Sequence, residues 1–326
     1  MSLRLRRGIV DAVSEQHDEL IRLSVDGAPA LAYPRLTGPV EVGDEVIVNV
    51  QARELELGSG GFDVLYVNLT RGLDGVGDAG AHVMTLPYTP MQSATGHVEE
   101  GDKLAESLDG MPVVCCSLHS QVAPVCAGFG GRVAYVQLGG GALPVSLSDA
   151  VRALKQHDLL EVAVAASPCL DGDVQAVNPA SALAWCAAQG YEAVVCSIGP
   201  GIVGTGSLLG HGGIAAAVAA NTAAALGGAP ILAVRMSEAD TRERHHGVSH
   251  HVRAVLDLCL AEVAVAWPRG LDAPTWLEPR VEVEVEGWSE ACARLPLSHM
   301  GRGIVEDPSF FMCAFAAGKA ARERLA

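Results

Sequence analysis

Four histidines lie within seven residues of one polar segment, and they are His245, His246, His250 and His251. A neutral imidazole can accept a proton or bind a metal ion, so we interpret all four as candidate catalytic residues. Ser249 is placed to cap a following helix, which would put His250 and His251 in its first turn. A helix N-terminus disfavours the imidazolium form, and these two rings are therefore predicted to be neutral near pH 7.

The same segment contains candidate ligands for a metal ion and for an anion. A divalent metal, if it is the cofactor, would draw on His245, His246, His250 and Asp240, although their spacing matches no recognised zinc motif. Two alternatives remain open: proton transfer or anion binding without a metal, and a charged surface loop with one or two structural histidines. Guanidinium groups suit a phosphate or a carboxylate ligand, and the candidates here are Arg235, Arg242 and Arg244. Each of these arginines could equally pair with a nearby carboxylate of the chain.

A glycine-rich stretch, G-P-G-I-V-G-T-G-S, follows a short apolar run that ends at Ser197. A strand, a glycine loop and a helix in this order direct backbone N–H groups at an anion. The stretch also matches the dinucleotide fingerprint G-x-G-x-x-G, and Arg235 after the next strand would suit the 2′-phosphate of NADP, but Pro200 removes one N–H. A tight strand–helix crossing is the structural alternative. The predicted ligand-binding residues here are Gly199, Gly201, Gly204, Thr205, Gly206 and Ser207.

His119 is a further candidate catalytic residue, because it follows another apolar run, Val113–Leu118. Its neighbour Ser120 would complete a serine–histidine pair, but adjacent residues at a strand end rarely face each other. His211 follows the glycine stretch within a predicted helix. From there it either reaches back over the glycine loop or fills a polar pocket.

Residues 1–105 form the first predicted domain. Five short strands with glycine turns occupy residues 1 to about 70, including a hairpin turn at Asp26-Gly27 and a glycine turn at Gly58–Gly61. This pattern is typical of a small β-barrel or β-sandwich. Nothing in it indicates catalysis.

The second predicted domain, residues 106–326, alternates continuous apolar runs with helical patterns. Such runs are typical of strands buried on both faces, and they predict a doubly wound, mostly parallel, Rossmann-like α/β sheet. One predicted helix, Gly206–Leu226, directly follows the glycine stretch, and Val281–Glu286 is predicted as an edge strand. Ligands of these sheets bind beyond the carboxyl ends of the strands. We expect three polar clusters to meet there: His119 with its neighbours, the glycine-rich stretch, and the segment Arg235–His251.

Charge and composition restrict the partners and the cell compartment. The chain of 326 residues has a net charge of −16, which argues against a nucleic-acid partner. No apolar stretch is long enough to span a bilayer and no export signal is visible, so no membrane partner is expected. Nine cysteines without a C-x-x-C spacing indicate buried thiols in a reducing compartment, and we expect a cytoplasmic protein.

Three tracts carry a family resemblance: Leu118–Ser120, Gly199–Gly206 and the segment Arg235–His251 with its core R-x-R-H-x-G-x-S-H-H. Together they resemble the bacterial family of unknown function DUF3866, and the resemblance extends over nearly the whole chain. It implies one shared architecture. The family brings no established activity.

These observations predict an enzyme of transferase or hydrolase type that acts on a small anionic metabolite, for which a phosphorylated compound is one option. The alternatives are a metabolite-binding or regulatory module without turnover, an NADP-type dinucleotide-binding protein, and a homo-oligomeric scaffold with the helix Gly206–Leu226 between subunits. The residues alone leave open whether the chain is an enzyme at all.

Overall fold

The computed structural model describes residues 3–56, 61–73, 78, 80–277 and 279–325. The chain forms two compact units, Met1–Gly96 and His97–Ala326. Most of the glycine turn predicted at Gly58–Gly61 lies outside the described residues.

The described residues of the N-terminal unit form β1 (Leu5–Gln16), β2 (Ile21–Val25), β3 (Ala28–Ala32), α1 (Pro34–Thr37), β4 (Glu45–Asn49), α2 (Gln51–Glu54), β5 (Asp63–Asn68), β6 (Val83–Thr85) and β7 (Ser93–Thr95). Five of the strands close into a barrel in the order β1-β2-β3-β5-β4, with apolar side chains such as Val10, Val46 and Leu65 buried. Asp26 and Gly27 have φ angles of 49° and 77°, as a two-residue hairpin turn requires. The predicted β-barrel is confirmed.

The described residues of the second unit form β8 (Pro112–Cys116), α3 (Val122–Phe129), β9 (Val133–Leu138), α4 (Asp149–Gln156), β10 (Val162–Ala166), β11 (Val174–Ala176), α5 (Pro179–Ala188), β12 (Ala193–Ile198), α6 (Ala215–Ala225), β13 (Ala229–Ala233), β14 (Met236–Ser237), β15 (Gly247–Val248), α7 (His250–Leu258), β16 (Ala264–Pro268), β17 (Val281–Val283), α8 (Trp288–Cys292) and α9 (Pro308–Glu323). Eight of these strands form one sheet in the order β11-β10-β9-β12-β8-β13-β16-β17. Every neighbouring pair in it is parallel.

Helices cover both faces of this sheet. Side chains of α5, α6 and α7 pack into one hydrophobic core, and those of α3, α4 and α9 pack into another. The central strands β8, β9, β10 and β12 are buried at every position, which explains their continuous apolar sequences. The predicted Rossmann-like α/β fold is confirmed, and β17 is the predicted edge strand.

From β8 the chain continues to β9, towards one edge of the sheet. From β13 it continues to β16, towards the opposite edge. Because β8 and β13 are neighbours, their connections diverge at their carboxyl ends. Divergence of this kind opens a crevice, which is where ligands of open α/β sheets bind.

The helix predicted at Gly206–Leu226 is wrong at its start. A turn of 3₁₀ helix at Gly212–Ile214 precedes α6, which begins only at Ala215. The preceding residues fold back instead, and Gly204 pairs with His211 in an antiparallel bridge. The alanine-rich face of α6 packs against the sheet of the same chain.

Helix α3 was not predicted, because its sequence V-A-P-V-C-A-G-F is apolar on all sides and has no amphipathic period. It crosses α9 in close backbone contact. A Cβ at Gly128 would collide with the carbonyl oxygen of Phe315, and a Cβ at Gly318 would collide with that of Val125. Glycine at both positions lets the two helices approach this closely.

Eight of the nine cysteines are buried, Cys259 is partly buried, and all are free thiols. None of the helices in the described ranges combines the length and the hydrophobicity that crossing a bilayer demands.

We expect Gly318→Ala to lower the free energy of unfolding by about 1–3 kcal/mol, because the added methyl group forces α3 and α9 apart. The sign of this change in unfolding free energy is informative, since Gly→Ala in an unobstructed helix stabilises a protein. Chemical denaturation measures the change. Gly206→Ala is the control, because its Cβ meets open space, and a loss at Gly318 no larger than at Gly206 would contradict the close contact.

Candidate functional site

The loop between β13 and α7 is tied at its base and buried at its centre. β14 pairs with β15, and the amide of Ser249 donates to the carbonyl of Arg235 at 2.9 Å. The side chains of Arg235, Asp240 and His245 are almost fully enclosed. Charged residues are rarely buried in this way unless they are paired or functional. These residues do not fit the alternative of a charged surface loop.

Four histidine rings pack against one another at the start of α7, and His211, His245, His250 and His251 are called the histidine cluster. The ring centroid of His211 lies 3.6 Å from that of His251, and the centroids of the other three lie 4.6–5.0 Å apart. The hydroxyl of Ser249 accepts from the amide of His251 at 3.2 Å and lies 2.8 Å from Nδ1 of His245. The predicted Ser249 cap is confirmed, and it orders the cluster.

Two ring nitrogens of the histidine cluster are buried and have no hydrogen-bond partner among the described residues: Nδ1 of His211 and Nε2 of His250. Nε2 of His211 donates to the carbonyl of Leu208 at 3.0 Å, which leaves a lone pair on its Nδ1. One nitrogen each of His245, His250 and His251 lies within 4.8 Å of the other two. These three histidines could hold a metal ion.

Burial keeps the histidine cluster neutral. Together with the nearby Arg235 guanidinium, the second cause, burial lowers the pKa of His251 to about 2 and that of His245 to about 3. The pKa values of His211 and His250 are also lowered, again mainly by burial. The predicted neutrality of His250 and His251 is confirmed, and removal of the rings from water is its largest cause.

Asp240 is bonded to arginine and does not join the histidines. Arg242 donates to its two carboxylate oxygens, from Nε at 2.9 Å and from Nη2 at 2.6 Å. The Arg242 guanidinium holds the pKa of Asp240 well below its usual range. A carboxylate engaged in this way serves as a counter-ion and not as a metal ligand. His246, another predicted ligand, is exposed, and His251 takes its place beside His245 and His250.

Arg235 is enclosed and short of acceptors. Its side chain is 3% exposed, and Nη1 donates to Nδ1 of His251 at 3.0 Å. The Asp240 carboxylate lies 3.8 Å away, beyond hydrogen-bond distance, and Nε has no partner in the part of the chain that the structure describes. Burial lowers the pKa of Arg235 to about 10, so it stays charged at neutral pH. Of the other predicted anion ligands, Arg242 binds Asp240 and Arg244 is exposed.

The predicted glycine cradle acts chiefly in backbone packing. A Cβ at Gly199 would collide with the carbonyl oxygen of Ala142, and a Cβ at Gly204 would lie 3.0 Å from the Cβ of His211. Gly201 has a φ of 68°, which favours glycine. Close contacts outside the helices and a positive φ account for glycine at these three positions, and none of the three makes the strand–helix crossing that was the structural alternative.

The exposed end of this stretch bonds largely to itself. The amide of Thr205 donates to the carbonyl of Gly210 at 2.7 Å, and the amide of Ser207 donates to the Thr205 hydroxyl at 3.2 Å. Gly206 lies between them with open space around it. Because the stretch does not lead directly into α6, it lacks the helix N-terminus that the dinucleotide fingerprint needs. Its link to the candidate site is His211, which follows it.

His119 lies apart from the histidine cluster, and both of its ring nitrogens are occupied. Nε2 lies 2.6 Å from the hydroxyl of Ser148, and Nδ1 lies 3.2 Å from the Tyr135 hydroxyl and 3.3 Å from the Ile198 carbonyl. Its neighbour Ser120 does not pair with it, as expected for adjacent residues, and faces Nδ1 of His299 at 3.3 Å. Burial lowers the pKa of His119 to about 4. These bonds fix the loops after β8, β9 and β12 together.

Three residues near Arg235 escaped sequence analysis: His299, Arg302 and Asp307. Arg302 lies 3.5 Å from Oδ2 of Asp240, and its Nε donates to Asp307 at 3.1 Å. They come from the segment before α9, about 60 residues after Asp240, and no spacing in the sequence links them to it.

Comparison with known proteins identifies the family. The model of a family described as "Protein of unknown function (DUF3866)" matches residues 29–318. The chain belongs to the DUF3866 family. No curated protein and no solved structure matches it.

The neutral His119 makes the stability of the DUF3866 chain depend on pH. Its pKa of about 4 lies below the value of about 6.5 in an unfolded chain, so its contribution is complete above pH 6.5 and is lost as the pH falls towards 4. We expect His119→Gln to reduce the loss of unfolding free energy between pH 7 and pH 5 by about 2 kcal/mol. Denaturant titrations at both pH values measure it, and identical losses in the two proteins would contradict a neutral His119.

Proposed function

We propose that the α/β unit is a hydrolase or transferase that acts on a small anionic molecule with the help of a divalent transition metal. The observation that carries the proposal is the convergence of His245, His250 and His251 beside the buried guanidinium of Arg235. The first group provides ligands for a cation, and the second provides a site for an anion.

The donor set defines the kind of metal. Imidazole nitrogens suit zinc and similar ions, whereas magnesium and calcium require oxygen ligands. Three protein ligands leave one coordination position open, as in catalytic zinc sites, and an ion there would supply a Lewis acid. His245 and His251 are neutral at pH 7, so each ring keeps one nitrogen lone pair, and that of His251 is engaged by Arg235 until an anion binds there.

The residues around the three ligands would hold their rings in place. Ser249 bonds to Nδ1 of His245, which leaves Nε2 of that ring free to face an ion. Arg235 can only donate, so Nδ1 of His251 accepts its hydrogen bond and Nε2 of His251 carries the ring proton. His251 would become a ligand when Arg235 turns to a bound anion and releases the Nδ1 lone pair. His211 stacks on His251 and brings a further unpaired nitrogen to the site. Outer contacts of this kind fix the orientation of metal-binding imidazoles.

The carboxyl end of β13 supports binding of a small anion. Arg235 has no carboxylate within hydrogen-bond distance, and an anionic substrate would provide the missing acceptor oxygens. The position beside β8, where the strand connections diverge, is where ligands of this fold class bind. The anion-binding role predicted for Arg235 is therefore retained in the proposal. Arg242, which is bonded to Asp240, is given a supporting role.

We expect zinc to bind the chelator-treated chain with one ion per chain, measured by isothermal titration calorimetry, and magnesium not to bind. His250→Ala should weaken zinc binding by about 100-fold or more, since even outer contacts of metal ligands contribute about 10–100-fold. His246→Ala is the matched control, because His246 lies in the same loop but is exposed. Equal affinities of the two variants would contradict the assigned ligands.

We expect the zinc-loaded chain to release product from at least one compound in a panel of phosphomonoesters and carboxylic esters. The assay measures inorganic phosphate or free acid, and turnover should fall to background in His250→Ala and persist in His246→Ala. Zinc binding with no turnover on the panel, together with binding of the same anions, would instead favour a metabolite-binding module.

A further inference from the structure

Buried polar atoms without partners also occur around Arg302, in residues outside the histidine cluster. Within the described ranges they are Nη2 of Arg302, Nε of Arg235, Nε2 of His299 and Oδ1 of Asp307. A buried polar group that makes no hydrogen bond is costly, and four of them in one neighbourhood indicate a missing ligand.

The four residues share one location. Nη2 of Arg302 and Nη2 of Arg235 approach the same atom, Oδ2 of Asp240, at 3.5 and 3.8 Å. Nε of Arg302 donates to Oδ2 of Asp307 at 3.1 Å, which leaves Oδ1 free. The backbones of His299 and Arg302 exchange two hydrogen bonds at 2.8 and 3.0 Å, so the His299 ring is tied to the same turn.

The charges at this location do not balance. Three guanidinium groups, those of Arg235, Arg242 and Arg302, meet only two carboxylates, Asp240 and Asp307, and one positive charge is left over. Arg235 and both carboxylates are nearly inaccessible to solvent. An uncompensated buried charge is strongly unfavourable, and an anion would remove the imbalance.

The hydrogen-bonding types specify the anion further. Arg235 and Arg302 can only donate. Ser120 lies 3.3 Å from Nδ1 of His299, and if its hydroxyl donates there, Nε2 of His299 carries a proton and donates too. Oδ1 of Asp307 can only accept. A ligand that satisfies all four atoms therefore has several acceptor oxygens and one hydroxyl donor.

We propose that Arg235, His299, Arg302 and Asp307 bind a phosphate group that retains one proton. Its unprotonated oxygens accept from the two arginines and from His299, and its P–OH donates to Asp307. This deepens the proposed function, on which it rests for its role in turnover, because it names the anionic group of the substrate. Sulfate carries no such proton, and its oxygens would meet the lone pairs of Asp307 without a hydrogen bond.

The test uses the full chain treated with a chelator, so that phosphate cannot bind through a metal. Inorganic phosphate and sulfate are titrated separately at pH 7 and constant ionic strength, and binding is followed by calorimetry. We expect saturable phosphate binding that is about tenfold or more tighter than sulfate binding. Glycerol phosphate in a parallel titration shows whether the subsite takes an esterified phosphate or free phosphate alone.

Two variants examine the assigned atoms. Arg302→Gln should weaken phosphate binding by about tenfold or more, and Asp307→Asn should abolish the preference for phosphate over sulfate, because an amide can donate to sulfate. Arg244→Gln is the control, since Arg244 is an exposed arginine of the neighbouring loop. His299→Phe keeps an aromatic ring against Phe310 and removes the Nε2 donor, so it replaces Arg302→Gln if that variant does not fold.

No saturable phosphate binding by the wild-type chain would overturn the subsite, as would equal phosphate affinities of the wild-type chain and Arg302→Gln. A phosphate preference that survives Asp307→Asn would overturn the role of Asp307. Because these titrations contain no metal, their failure leaves zinc binding at the histidine cluster intact, and a failure of zinc binding leaves the phosphate titrations intact. The two proposals can thus be rejected separately.

Discussion

The candidate site depends most on one feature, the buried guanidinium of Arg235. It is a permanent cation with a hydrogen bond to one neutral ring and a carboxylate just beyond reach. Burial keeps the pKa of His251 and His245 low, and a cation in this position lowers both as well, so these rings stay neutral. The guanidinium also leaves donor capacity that no residue in the described part of the chain uses. The unmet demand for an anion follows from this one side chain, which also adds to the effect of burial on the neighbouring histidines.

The parallel sheet explains how such a cation can be buried. Helices on both faces exclude water from the strands. Arg235 lies just beyond the carboxyl end of β13, the strand that pairs with β8. The backbone after β12 makes a close glycine contact, because a Cβ at Gly212 would collide with the carbonyl oxygen of Gly140. This approach lets the chain fold back after β12 and places His211 on His251. The glycines thus contribute to the site through backbone packing.

The fold could be predicted from sequence further than the site could. Alternating barrel strands and continuous apolar runs identify the β-barrel and the parallel sheet, since burial on one face or two sets the pattern directly. The Arg235–His251 segment was found because its polar residues are close in sequence. His299, Arg302 and Asp307 were missed because only tertiary folding brings them to Arg235. The wrong start of α6 has a local cause: five glycines and several small residues between 199 and 210 carry no period that marks where a helix begins.

Metal and anion binding at this site would be coupled through Arg235. A divalent ion at the histidine cluster adds positive charge next to a buried guanidinium, which opposes its binding. An anion bound to Arg235 and Arg302 offsets that charge, so each ligand should raise the affinity for the other by the same factor. A structural network of buried polar groups would show no such reciprocity. The arrangement therefore favours a site that is completed only when both ligands are present, as a metal-assisted reaction of an anionic substrate requires.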